Sequence, residues 1–147
     1  MLNKNFWEKN LSQFNIKEWE ALCDRCGKCC LIKLEDEDTS DIYYTNVSCK
    51  LLCVKTANCN NYQKRKEIVK DCVSLNYQNV EKLKWMPKTC SYRLKHEGKE
   101  LPTWHYLIAG NYDQMIKQKK CVRNRVTNEK DVDIKNIKKH IIDGENI

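Results

Sequence analysis

The chain of 147 residues carries 27 Lys+Arg against 20 Asp+Glu, a formal charge of +7, with 10 Cys, 4 Gly and 2 Pro. Leu, Ile, Val and Phe together make 33 of the 147 residues, little above the fraction of about 20% that marks disordered chains, so an apolar core needs help from elsewhere. No uninterrupted apolar run is longer than four residues, the length of Leu51–Val54. That excludes a membrane span, which takes about 20 apolar residues, and Met1-Leu-Asn-Lys-Asn-Phe-Trp-Glu opens with no secretory apolar region. No heptad or longer repeat supports a coiled coil or solenoid. The expectation is a cytoplasmic chain whose thiols stay reduced and serve metal ligation or redox chemistry rather than disulfides.

The elements follow in chain order. Phe6, Trp7, Leu11, Ile16, Trp19 and Leu22 fall at helical spacings, predicting one or two short helices over 6–22 with a break near Asn15. Leu31–Glu35 and Ile42–Val47 are short β-rich runs around the polar Asp36–Asp41, a hairpin. The acidic stretch Glu35–Asp38 lacks the alternating ligands and central glycine of a calcium loop and reads as a solvated turn. From Ser48 to Asp71 the pattern is irregular, as expected of a segment wrapped around a site. Pro87 is expected to start a helix through Thr89, Cys90, Tyr92 and Leu94 toward Gly98. Residues 101–110 read as an apolar loop or short strand, Val122–Val126 as a further strand, and Val132–Ile142 as an amphipathic helix. No linker separates two cores, giving one domain over 1–147. The fold class is α+β: a small compact domain of short helices, a β-hairpin and irregular segments organised by a cysteine metal cluster.

The motif that carries chemistry is Cys23-Asp-Arg-Cys26-Gly-Lys-Cys29-Cys30, four cysteines in eight residues. Two-residue gaps let successive thiolates turn onto one metal centre, and Gly27 permits the tight backbone. Neighbouring side chains diverge in extended chain, so Cys29 and Cys30 are not both expected to complete one tetrahedron with Cys23 and Cys26. Downstream thiols at Cys49, Cys59, Cys72 and Cys90 supply further ligands. Metal held by thiolates contributes on the order of 10 kcal/mol to folding, comparable to the whole stability of many domains.

The charge is concentrated: residues 50–100 carry a net +7. Lys outnumbers Arg 22 to 5, whereas nucleic acid is gripped mainly by Arg forks and stacked aromatics. Eight thiolates on two divalent ions would cancel more than half of the excess. Nucleic-acid binding is therefore the third reading, and an unknown protein partner is left open. No small-molecule substrate is identified. With 4 glycines and 3 histidines there is no phosphate loop, dinucleotide fingerprint or Ser-His-Asp set to propose, so the chain does not read as an enzyme on its own.

The cysteine run, Ile42-Tyr-Tyr-Thr-Asn-Val47, Asn61-Tyr62 with Arg65, Asp71-Cys72, Trp85-Met-Pro-x-Thr-Cys90-x-Tyr-Arg-Leu94 and Leu101-Pro-x-Trp-His105 together resemble the bacterial YcgN-type proteins of the CxxCxxCC cysteine-cluster superfamily. The resemblance covers roughly residues 6–142. It implies a zinc- or iron-chelating domain of unassigned biochemical role, with metal ligands at Cys23, Cys26, Cys29, Cys30, Cys49, Cys59, Cys72 and Cys90. Cys53 and Cys121 fall outside the pattern and are taken as plain thiols. Some superfamily relatives are similar to flagellin lysine methylases with an iron–sulfur cluster, which implies an alternative role in electron transfer or beside a modifying enzyme. All-thiolate sites suit both zinc and iron–sulfur clusters. His105 is expected to pack structurally beside Trp104 ahead of serving as a ninth ligand. His96 and His140 are expected to be exposed. Arg65 and Arg93 are candidates to face thiolates or an anion, or else to form ordinary ion pairs.

Overall fold

The computed structural model describes residues 2–142; Met1 and 143–147 lie outside it, so the reading of one domain over 1–147 extends past the described residues at both ends. In chain order, single 3-10 turns at Phe6–Glu8 and Leu11–Gln13 precede α1 (Ile16–Leu22). A further turn at Lys28–Cys30 leads into β1 (Leu31–Glu35) and β2 (Ile42–Ser48). Then come α2 (Arg65–Ile68), a 3-10 turn at Val80–Lys82, α3 (Ser91–His96), α4 (Tyr106–Ala109) and α5 (Asp113–Lys117). Last are β3 (Thr127–Asn128) and 3-10 turns at Glu129–Asp131 and Ile134–His140. Short helices and a three-stranded mixed sheet make the chain α+β. No helix among the described residues is long and apolar enough to cross a membrane.

Packing groups the described residues into two units, 2–24 with 74–118 and 25–73 with 119–142. In the first, Leu11, Leu22, Val80, Met86, Tyr92 and Leu101 form the core, with the indoles of Trp7, Trp19 and Trp85 packed against it. Asn15 begins α1 because its side chain accepts the Glu18 N–H at 2.9 Å while Glu18 accepts the Asn15 N–H at 3.1 Å, a reciprocal capping box. Glu18 is 0% exposed, yet its carboxylate also receives Asn3 Nδ2 at 2.7 Å and Lys9 Nζ at 2.9 Å. The Lys9 ammonium first, and these hydrogen bonds with it, overcome burial and hold Glu18 down at about 2. Trp19 Nε1 donates to the Leu75 carbonyl at 3.1 Å, and Tyr92 OH to the Trp19 carbonyl at 2.6 Å.

In the second unit β1 and β2 pair antiparallel, with a register irregularity between Leu31 and Lys33. The turn is set by Asp36, whose carboxylate accepts the N–H groups of Asp38 and Thr39 at 2.8 and 3.0 Å. The hairpin and its polar turn are thus as the sequence indicates, and no ligand role is needed for the acidic stretch. β3 adds in parallel at Val47 and Ser48. The core is smaller: Leu31, Leu52, Ala57 and Val122.

Four elements differ from expectation. Pro87 opens a turn, closed by Cys90 N–H to the Pro87 carbonyl at 3.0 Å, and α3 starts only at Ser91 because Cys90, with ψ 128°, is not helical. The run 101–110 is not a strand: Pro102 nucleates a turn and the His105 ring caps α4 by accepting the Leu107 N–H. Val122–Val126 is a turn because Asn124 takes φ +57°, so the strand moves to Thr127–Asn128. The segment 132–142 is a 3-10 run broken at Asn136, after which Ile141 turns extended and bridges to Thr45.

Candidate metal centre

Six of the eight nominated cysteines, Cys26, Cys29, Cys30, Cys49, Cys59 and Cys72, belong to the second unit; Cys23 and Cys90 belong to the first. No disulfide joins any of the ten cysteines. In the second unit the thiol-bearing backbone is laced together. Cys49 N–H donates to the Cys30 carbonyl at 2.8 Å, Leu52 and Cys59 form an isolated bridge, and Val122 N–H donates to the Cys26 carbonyl at 2.9 Å. Asn128 Nδ2 reaches the carbonyls of Cys49, Lys50 and Leu52 at 3.1–3.3 Å, and Glu129 accepts the Lys50 N–H at 2.9 Å. These contacts order the irregular stretch after Ser48 that regular pairing leaves unsupported.

Gly27 makes the turn of the cysteine run possible. Its φ is +77°, and a Cβ there would sit 2.5 Å from Val122 Cγ2 and 3.2 Å from Ala57 Cβ. Both the dihedral and the space demand glycine.

The electrostatics show which thiols share a neighbourhood. Cys30 is driven well above the ordinary thiol range, first by its hydrogen bond with Cys29, then by burial and the charges of Cys29 and Cys49. Burial raises Cys49, with Glu129 and Cys59 adding to it, and burial raises Cys72, opposed by Arg65 and supported by Cys49, Cys59 and Cys29. Lys33 lies over this group. Its ammonium donates to the Cys29 and Leu31 carbonyls at 2.9 and 2.8 Å and stands 5.2 Å from the Tyr44 ring centre. Burial lowers Lys33 while Cys29, Cys30 and Cys26 oppose that. Cys29, Cys30, Cys49, Cys59 and Cys72 thus lie within one another's fields and Cys26 shares Lys33 with Cys29 and Cys30, although among the described residues no three His, Cys, Asp or Glu side chains converge as a group able to hold a metal ion.

The donor set tests the fit to a metal. Thiols such as Cys30, Cys49 and Cys72, whose ionisation burial and neighbouring thiols oppose, gain most from a cation, and sulfur-only ligation suits zinc and iron–sulfur clusters alike. Arg65 stacks 3.8 Å over the Tyr62 ring and favours Cys72 ionisation, so Tyr62, half exposed, holds the arginine that faces a thiol. Arg93 pairs with Glu97 at 3.0 Å and caps the Met86 carbonyl at 2.6 Å, an ordinary ion pair. His96 is exposed, whereas His140 is half-buried against Asn46 at 3.2 Å. Cys121 is buried as a packing thiol. Cys53 is pulled below the usual thiol range by the Thr56 hydroxyl, then by the Thr56 and Lys55 N–H groups. In the first unit Cys23 and Cys90 pack against the apolar core, Cys23 directly after α1 and Cys90 directly before α3.

Comparison with known proteins places this arrangement. Residues 22–91, which hold all eight nominated cysteines, match the family model CxxCxxCC, described as "Putative zinc- or iron-chelating domain". The class is thus a cysteine-rich chelating domain. The chain belongs to the UPF0260 family: it is 45% identical over 138 residues to a UPF0260 protein of Pseudomonas entomophila, covering 93% of each chain. It is 46% identical over 133 residues to one of Pectobacterium atrosepticum, covering 90% of each, and 45% identical over 138 residues to one of Parvibaculum lavamentivorans, covering 93% of this chain and 90% of that one. No solved structure matches the chain significantly.

Sequence reasoning missed Lys33, Asn128 and Glu129. Lys33 had a local signal, a lysine three residues beyond Cys30 at the start of a strand. Asn128 and Glu129 reach Cys49–Leu52 across more than 70 residues, and nothing local marks such contacts.

Proposed function

We propose that this chain is a cytoplasmic metal-binding protein in which the eight nominated cysteines hold zinc or an iron–sulfur cluster through thiolates, zinc serving a structural role. The observation that supports this most is the lacing of Cys26, Cys30, Cys49 and Cys59 by backbone hydrogen bonds within one unit, beside the side-chain bond between Cys29 and Cys30. Ordinary packing thiols do not need a shared backbone frame. A metal held there ties segments that the small core of Leu31, Leu52, Ala57 and Val122 secures weakly. The ordered surface then serves a protein partner. Anaerobic purification of untagged chain, made without added zinc, tests the reading by elemental analysis and visible absorbance. Stoichiometric zinc in a colourless protein supports structural zinc, and a brown protein with iron supports the iron–sulfur form. Protein free of both metals refutes the proposal.

A further inference from the structure

The first unit carries a groove of about 500 Å³ lined by the start of α1, the 3-10 turn before it and residues 75–78. That is the size of an ordinary ligand site. Three rings line it, Phe14, Trp19 and Tyr77. Phe14 packs edge-on to Phe6 at 5.5 Å and Trp19 lies 4.8 Å from Tyr92, while Trp19 Nε1 is engaged by the Leu75 carbonyl at 3.1 Å. Residues 76–79 are fixed by a reciprocal pair: Asn76 N–H donates to Asn79 Oδ1 at 2.9 Å, and Asn79 N–H to Asn76 Oδ1 at 3.0 Å. This pair uses the Asn76 oxygen and leaves its Nδ2, with the exposed Gln78 carboxamide, as donors at the groove. The walls are therefore set before anything enters, which lowers the ordering cost of binding.

At the rim Ile16 is 84% exposed and Tyr77 53%. An isoleucine gains nothing from water at the first position of a helix, and its branched side chain disfavours the helix slightly. Apolar groups left bare beside polar ones mark a contact surface. The lining also selects the occupant. None of the ten lining residues is charged, on a chain of net +7, so charge complementarity calls for an uncharged segment; phosphorylated and acidic peptides are taken by arginine clusters. A strand would need a sheet edge, and all three strands among the described residues belong to the second unit. A helix satisfies its own carbonyls and has no use for two carboxamide donors. A polyproline II segment has carbonyls without internal partners and docks in grooves lined by aromatic rings.

We propose that this groove docks an uncharged proline-rich segment of a protein partner. Phe14, Trp19 and Tyr77 receive its prolines and apolar side chains, and the Asn76 and Gln78 carboxamides donate to its backbone carbonyls. No cysteine lines the groove, so the proposal stands apart from the metal-binding reading.

The test is fluorescence anisotropy of a dye-labelled, end-blocked peptide of repeated Pro-Pro-Leu, titrated with the full-length chain as purified. An uncharged helical peptide of alanine, glutamine and leucine, and free indole as competitor, complete the set. Saturable binding of the proline peptide alone is expected, equal at low and high salt because no charge is involved. Ile16→Ser and Tyr77→Ser should each weaken it at least about fivefold, and Gln78→Ala about threefold. Ile116→Ser, at an isoleucine 41% exposed on α5 of the same unit, should leave it unchanged. All four positions are exposed, so folding is kept in each variant. No saturable binding of the proline peptide, tighter binding of the helical peptide or of indole, unchanged affinity in both Ile16→Ser and Tyr77→Ser, or equal weakening by Ile116→Ser overturns the proposal. Metal content of the same preparation reports on the metal-binding reading separately.

Discussion

The two units solve the same problem by different means. The first has a core cluster of six residues with aromatic rings around it, and buried Glu18 and His105 each with several hydrogen-bond partners. The second has four core residues and six nominated thiols. Apolar burial contributes roughly 25 cal/mol per Å², so the unit with less of it depends more on cross-links, which the proposed metal would supply. The difference teaches that the cysteines are spread according to need: most lie where the oil is scarce.

Metal removal should expose the contrast most strongly. All four tryptophans, Trp7, Trp19, Trp85 and Trp104, lie in the first unit, so their emission reports on it alone. A strong chelator is expected to abolish amide protection in β1 and β2, a loss on the order of 10 kcal/mol, before tryptophan emission shifts. Simultaneous loss of both signals would erase the distinction. Next in size, Cys26→Ser should strip metal from the second unit, whereas Cys121→Ser should keep metal content unchanged and lower stability by about 1–2 kcal/mol, from a buried hydroxyl. Elemental analysis with thermal melts separates these, and equal metal loss from both would show the cysteines wrongly sorted.

Gly27→Ala should cost about 2–4 kcal/mol, combining a left-handed φ with overpacking against Val122; a denaturant midpoint equal to wild type would contradict the geometry. Acid should act on the first unit through Glu18. Because its folded-state value is lowered from 4.5 to about 2, the contribution is complete above pH 4.5 and is lost as pH falls toward 2. Glu18→Gln should flatten the decline of stability in that window, as read from tryptophan emission during acid titration, and an unchanged acid profile would remove Glu18 from the account.

What was legible in the sequence was local. Two β-rich runs around the polar Asp36–Asp41 turn marked the hairpin, the break near Asn15 marked the start of α1, and the cysteine spacing marked the motif. Where backbone conformation hung on one residue, as at Asn124 or Cys90, the strand expected at Val122–Val126 and the helix start expected at Pro87 were misplaced. The partners that organise the thiols come from far along the chain. Asn128 and Glu129 meet Cys49–Leu52 through hydrogen bonds that leave no periodic trace, and His105 joins neighbours of Cys23 and Cys90 through single polar atoms.

X-ray absorption at the zinc and iron edges of anaerobically purified protein tests the central claim most directly. A first shell of sulfur at about 2.3 Å is the expected result. A shell of oxygen and nitrogen only, or no bound metal in folded protein, would contradict it.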